Sequence, residues 1–129
     1  MEYRFDETVR YSKTHEWVRM DGAEAIVGIS DYAQDKLSDV VFTDLPPAGK
    51  ELKKETAFMV IESVKAAEDV FAPVSGTVVS RNEKLVTSPE LVNKDPFGEG
   101  WLVRVRLSNT AELDSLMDPA AYKKFVGTL

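Results

Sequence analysis

The chain has 129 residues, 43% of them hydrophobic, enough for one folded domain with a real core rather than a disordered segment. It has no cysteine and a single histidine, His15, which excludes disulfides, thiol nucleophiles, thiolate metal sites and His-rich zinc sites. Sixteen Lys plus Arg against 22 Asp plus Glu leave a formal charge of −6, which argues against nucleic acid as a partner and favours partners with basic patches.

No serine sits in a nucleophile-elbow pattern, so demanding chemistry on this chain calls for a cofactor. No apolar run approaches the 18 residues of a membrane span, and no membrane partner is expected. The stretch Met1 to Glu7 carries no apolar signal core and is too acidic for a transit peptide. A cytoplasmic, bacterial protein is the expectation.

In chain order, Trp17-Val18 reads as a strand, Asp21-Gly22 as a hairpin turn and Glu24 to Ile29 as the returning strand. Ser30 to Leu37 reads as a short helix capped by Asp31, with Gln34 in the capping-box position. Asp39 to Asp44 is a strand, stopped by Leu45-Pro46-Pro47-Ala48-Gly49. A charged stretch, Lys50 to Lys54, leads into the apolar strand Ala57 to Ile61. A second apolar strand runs from Val70 to Val74, and the polar stretch Glu62 to Asp69 between them reads as a hairpin tip.

Pro73-Val74-Ser75-Gly76 marks a turn before the strand Thr77 to Ser80. Arg81 to Pro96 reads as polar and irregular, with Pro89 and Asp95-Pro96 as breakers. Phe97 to Gly100 turns into the strand Trp101 to Leu107, whose Trp101, Val103, Val105 and Leu107 alternate with a mostly wet face. Asn109 with Glu112 opens a C-terminal helix carrying Leu113, Leu116 and Met117. Asp118-Pro119 opens another, with Tyr122, Phe125 and Val126 apolar and Gly127 closing it.

A faint internal echo relates Val40–Ile61 to Val78–Val105. It suggests two similar β halves folded around a pseudo-twofold, with Lys65 at the hinge. Each half alone would expose an apolar face, so the two are expected to fold together.

Lys65 holds an amine out from the hairpin tip on a flexible four-carbon stem. Spacing alone reads it as an ordinary solvated lysine. Its neighbours change that reading. Ile61-Glu62-Ser63-Val64-Lys65-Ala66, followed by Ala72-Pro73-Val74-Ser75-Gly76, resembles a lipoyl-attachment hairpin. Over nearly all its length the chain resembles the H-protein family of the glycine cleavage system. The matching pieces are His15-Glu16-Trp17-Val18, Val27 to Gln34, Asp39 to Phe42 with Leu45-Pro46, Leu91-Val92-Asn93, and Asp95-Pro96 with Gly98 to Trp101.

The resemblance implies a mainly β fold, a barrel-sandwich hybrid of the lipoyl/biotinyl-like kind built of two similar halves, with a short helix near residue 31 and C-terminal helices. It implies one lipoyl-carrier domain over residues 1–129, with a core at about 15–107 and a helical extension at 109–127. It also implies a non-catalytic carrier with lipoate in amide linkage to Lys65. The implied partners are a pyridoxal-phosphate glycine decarboxylase (P protein), a tetrahydrofolate-dependent aminomethyltransferase (T protein), a dihydrolipoyl dehydrogenase (L protein) and a lipoylating enzyme. Glu62 and Ser63 are candidates for recognition by that last enzyme, and Glu16 and Asp69 for docking of the loaded arm. The absence of cysteine suits a cycling disulfide, because protein thiols nearby would invite exchange.

Tyr32 stands where other family members can carry histidine, so any imidazole role there is absent. His15, Trp17 and Trp101 read as structural, and Gly28, Gly76 and Gly100 as backbone requirements. Biotin carriers place methionine on both sides of their lysine, whereas Val64 and Ala66 flank Lys65. A detached lipoyl domain of a 2-oxoacid dehydrogenase would lack the His15-Glu16-Trp17 segment and the C-terminal helices. Two alternatives stay open: an H-like protein in lipoate relay or sulfur metabolism, and a binding module with an unmodified lysine.

Overall fold

The computed structural model describes residues 2–129; Met1, part of the stretch read above for targeting signals, lies outside them. The chain runs β1 (Arg10–Tyr11), β2 (Glu16–Asp21), β3 (Glu24–Ile29), α1 (Asp31–Leu37), β4 (Val40–Asp44), β5 (Glu51–Leu52), β6 (Ala57–Ser63), β7 (Ala67–Phe71) and β8 (Gly76–Arg81). There follow α2 (Lys84–Thr87), α3 (Leu91–Lys94), β9 (Val103–Leu107), a 3-10 helix (Thr110–Ser115) and α4 (Pro119–Val126). The strands form an antiparallel six-stranded sheet in the order β1-β2-β3-β9-β8-β5 and a three-stranded sheet in the order β4-β6-β7. This is the mainly β, two-sheet architecture expected, with the helix near residue 31 and helical C-terminal segments.

The echo has a structural counterpart. Its first segment supplies the antiparallel pair β4–β6 of the small sheet, and its second supplies β8–β9 of the large one. β5 leaves the first segment to pair with β8, Glu51 opposite Thr77. Val18, Val27, Val40, Phe58, Ile61, Val70, Val78 and Val105 are all buried in one cluster drawn from both sheets. β-Branched side chains alternating on pleated strands fill such a space with little loss of rotamer freedom. A second cluster, with Tyr11, Trp17, Tyr122 and Val126, packs α4 against the outer end of the large sheet. Tyr11 and Tyr122 stack with ring centroids 4.0 Å apart.

Glycine is required where backbones or rings approach closely. Gly28 lies opposite Trp17 in the ladder, and a Cβ on it would stand 2.5 Å from the indole. Gly76 lies so close to Arg106 that a Cβ would meet its carbonyl oxygen. Gly22 has a different reason: its φ of +64° completes the β2–β3 turn.

Several local expectations are corrected. Ser30, not Asp31, caps α1: its Oγ accepts the Ala33 N–H at 3.2 Å, because the hydroxyl lies just outside the first helical residue. Asp31 instead accepts from the Arg4 backbone N–H at 2.8 Å and the Gln34 side-chain amide at 2.8 Å. Arg81 to Pro96 is not irregular. It holds α2 and α3, each a single turn too short to show helical periodicity. Its Asn93 accepts from the Val40 N–H at 2.8 Å and donates to Ser38 O at 2.9 Å, fixing the chain between α1 and β4.

The returning strand of the lysine hairpin is 67–71 rather than 70–74, so the polar tip is much shorter than expected. Strand pairing extends through Glu62 opposite Ala67 because acidic side chains on an exposed hairpin need no burial. Asn109 does cap a helix, accepting from Ala111 N–H at 3.1 Å, but the helix is 3-10. Glu112 reaches across to Ser75, accepting its N–H at 2.7 Å and its hydroxyl at 2.9 Å. Asp118 caps α4 with Pro119 at its first position, as expected.

Candidate functional site

β6 and β7 are joined by a tight tip. The Ser63 N–H donates to Ala66 O at 2.8 Å, and Ser63 Oγ accepts from the N–H groups of Lys65 at 3.2 Å and Ala66 at 3.1 Å. A serine at the start of a turn satisfies donors that the ladder has left behind. The Val64 N–H donates to Asp39 O at 2.9 Å, tying the tip to the start of β4. Lys65 therefore projects from a rigid base, and its side chain is exposed. Its ammonium donates to the backbone carbonyl of Lys36 at 2.9 Å, one of the last-turn carbonyls that a helix leaves without an intrahelical partner.

Lys36 also borders a groove of about 190 Å³ between α1, the β2–β3 sheet and the hairpin. Apolar walls come from Ile29, Leu37, Ile61 and Val70, and carboxylates from Glu16, Glu68 and Asp69. Ile61 pairs with Glu68 across β6 and β7, and Val60 pairs with Asp69. A second depression, about 450 Å³, is larger and shares Thr14, but runs toward Lys54, Leu116 and Met117, away from the hairpin tip. Size alone would choose it. Proximity to the exposed amine and the three carboxylates favours the smaller groove.

Glu16 is buried at 3% exposure. Its Oε1 accepts from the Ser12 hydroxyl at 2.8 Å and the Thr14 hydroxyl at 2.5 Å, and its Oε2 accepts the Phe71 N–H at 3.2 Å. Burial pushes its pKa up, and the hydrogen bonds offset part of that rise. His15, at the groove's edge, adopts a φ of +78°. Its Nδ1 lies 2.8 Å from the Tyr122 hydroxyl, which lies 2.6 Å from Ser30 Oγ. Burial lowers its pKa and favours the neutral ring.

The sequence-derived residues thus fall into two groups. Glu62, Ser63 and Lys65 share the hairpin end, Ser63 as its builder and Glu62 exposed beside it. Glu16 and Asp69 share the groove. Sequence reasoning missed Glu68, Lys36 and Tyr122. Glu68 had a readable signal, since it sits one residue from Asp69 in a paired hairpin. Lys36 acts through its main chain and Tyr122 across 107 residues, so neither left a local trace. Among the described residues no group of three His, Cys, Asp or Glu side chains could hold a metal ion. No helix among them is long and apolar enough to cross a membrane.

The family model for the glycine cleavage H-protein matches residues 9–128. A glycine cleavage system H protein of Symbiobacterium thermophilum is 56% identical over 117 residues, covering 91% of each chain. One of Thermotoga maritima is 54% identical over 116 residues, covering 90% of this chain and 94% of that one. Among solved structures, the crystal structure of a glycine cleavage system H protein from Mycobacterium marinum superposes with a TM-score of 0.86 at 29% identity, over 95% of this chain and 98% of that one. With that match of sequence and of fold, the chain belongs to the glycine cleavage H-protein family, the lipoyl carriers of the glycine cleavage system.

Proposed function

We propose that the Nζ of Lys65 is the attachment point of the lipoyl group, and that residues 1–129 act as one carrier domain in a bacterial cytoplasm. In this reading the arm serves the pyridoxal-phosphate decarboxylase, the tetrahydrofolate-dependent aminomethyltransferase and the dihydrolipoyl dehydrogenase in turn, and the chain itself catalyses nothing. The supporting observation is one exposed amine, on a hydrogen-bonded hairpin tip, bonded to the main chain of Lys36, which borders a groove with apolar walls and carboxylates.

The residues present fit such a group. Lys65 must release Lys36 O and lose a proton before its nitrogen can form an amide. The amide removes the charge, and arginine, whose guanidinium stays protonated, cannot replace it. When bound, the lipoyl group supplies a disulfide that accepts a one-carbon unit and two electrons. Ile29, Leu37, Ile61 and Val70 offer an apolar bed that excludes water. Glu16 has one lone-pair position left after accepting three hydrogen bonds, and with Asp69 it can accept from an ammonium brought into the groove. Glu62 and Ser63 present the tip to the lipoylating enzyme.

The test is intact mass and peptide mapping after incubation with lipoate, ATP and a lipoate ligase. Wild type gains one lipoyl unit, mapped to Lys65, and Lys65→Arg gains none. A gain on the variant, or none on wild type, would overturn the assignment.

A further inference from the structure

The Lys65 tip is surrounded by apolar side chains that face solvent. Val64 on the tip is 67% exposed, and Val41 and Phe42 on β4 are 53% and 50% exposed. Among the described residues these are three of six exposed large apolar side chains; Met20, Val86 and Leu129 belong to other elements. Scattered exposed apolar residues need no explanation, whereas a group beside a functional residue does.

The backbone puts them together. Val40 pairs with Ser63 and Phe42 with Glu62, so Val41 is the extra residue of a β-bulge. The bulge leaves Val41 unpaired at the sheet edge and turns Phe42 to the same outward face as Glu62 and Ala67, which are paired with each other. Val64 is tied to this edge through its bond to Asp39 O.

The border of the patch is acidic. Asp39 and Asp44 flank the β4 residues, Glu62 pairs with Phe42, and Asp69 follows on β7. Two cations stand at this border: Lys65 on the tip, and Arg81, whose guanidinium donates to the carbonyl of Leu45 beside Asp44 at 3.3 Å.

We propose that the outward face of β4, β6 and the tip, with Phe42 as its anchor, is the surface on which the lipoylating enzyme seats. The enzyme's complementary surface would be an apolar socket rimmed by Lys and Arg. This rests on the reading of Lys65 given above. The choice of partner follows from reach: an enzyme that acylates Nζ itself must bring its active site to the tip and so covers Val64, Val41 and Phe42. An enzyme that handles only the far end of the arm need not. A large aromatic at the centre of a charged border matches the anatomy of an interface hot spot, and the acidic border steers a basic partner in a salt-dependent way.

Initial lipoylation rates by a lipoate ligase, measured against carrier concentration at low and moderate salt, test this. Phe42→Ala is expected to raise KM about tenfold or more with kcat unchanged, the effect of losing an aromatic hot spot. Val64→Ser should raise it in the same direction, and Glu62→Gln should flatten the salt dependence. Met20→Ala, an exposed apolar side chain of the other sheet, should match wild type. Because Phe42 is half exposed, its variant should keep the wild-type melting temperature. Should that variant unfold, Val64→Ser carries the test. If both variants keep KM within twofold of wild type while wild type is lipoylated, the surface proposal fails and the Lys65 reading stands. If wild type takes up no lipoyl group, both fail together.

Discussion

The buried carboxylate of Glu16 accepts the backbone N–H of Phe71 at 3.2 Å, joining β2 of the large sheet to β7 of the small one beside the groove. The same side chain is therefore a tie between sheets and a wall of the candidate site. Its other oxygen is held by Ser12 and Thr14, so the carboxylate cannot swing without breaking bonds to the β1–β2 loop and to the small sheet.

Removing that carboxylate separates the two roles. Glu16→Ala should cost about 1–3 kcal/mol, chiefly because the partly buried Phe71 N–H loses its acceptor, while the half-buried Ser12 and exposed Thr14 hydroxyls can turn to water. Glu16→Gln should retain most of the stability, since its amide oxygen can still accept from Phe71. Denaturant unfolding gives both numbers, and an equal loss in the two variants would contradict this account.

The pH dependence follows from the sign of the Glu16 shift. Its folded pKa lies above its ordinary value of 4.5 because burial penalises the charge. The folded state then holds the proton more tightly than the unfolded state. Glu16's contribution is most favourable below 4.5 and is lost as pH rises from there through the raised folded value. Stability of Glu16→Gln minus that of wild type should therefore grow over that window, measured at constant ionic strength. A flat difference would contradict it.

His15 makes the opposite case. Burial lowers its pKa below 6.5, so its contribution is fully present above 6.5 and lost as pH falls through the folded value. It is the chain's single histidine, so its ring signals in an NMR titration are unambiguous. The midpoint should lie below 6.5 in wild type. A midpoint above 6.5 would contradict the burial argument.

Gly28→Ala should destabilise by about 1–3 kcal/mol, the usual cost of forcing extra volume into packed structure. The new Cβ would stand 2.5 Å from the Trp17 ring, whose Nε1–H is held to Pro96 O at 3.1 Å and so resists moving. Thermal unfolding measures the loss, and an unchanged melting temperature would contradict the packing described.

Alternation made β9 legible, because Val103 and Val105 pack the core while Arg104 and Arg106 do not. β2, β3 and β6 were legible instead from their β-branched and aromatic residues, with Trp17 and Val18 of β2 buried on opposite faces. The β2–β3 turn was legible from Asp21-Gly22, and the α4 cap from Asp118-Pro119. α2 and α3 were not, since a four-residue helix contains little more than one period. Lys65 stood out only in company with its flanking motif; as a lysine between apolar strands it carried no chemistry. The groove was less legible still. Glu16 and Asp69 are 53 residues apart, and their meeting depends on how β7 packs on β2, which no local pattern encodes.

If this chain carries lipoate on Lys65 for glycine cleavage, it should serve the pyridoxal-phosphate decarboxylase as a carrier. Glycine-dependent exchange of labelled bicarbonate by the pyridoxal-phosphate decarboxylase tests it most directly, with the lipoylated chain as the added carrier. Exchange should rise with carrier concentration and vanish with Lys65→Arg put through the same lipoylation. A lipoylated wild-type chain that supports no exchange would contradict the claim and leave a lipoate-relay or sulfur-metabolism role in its place.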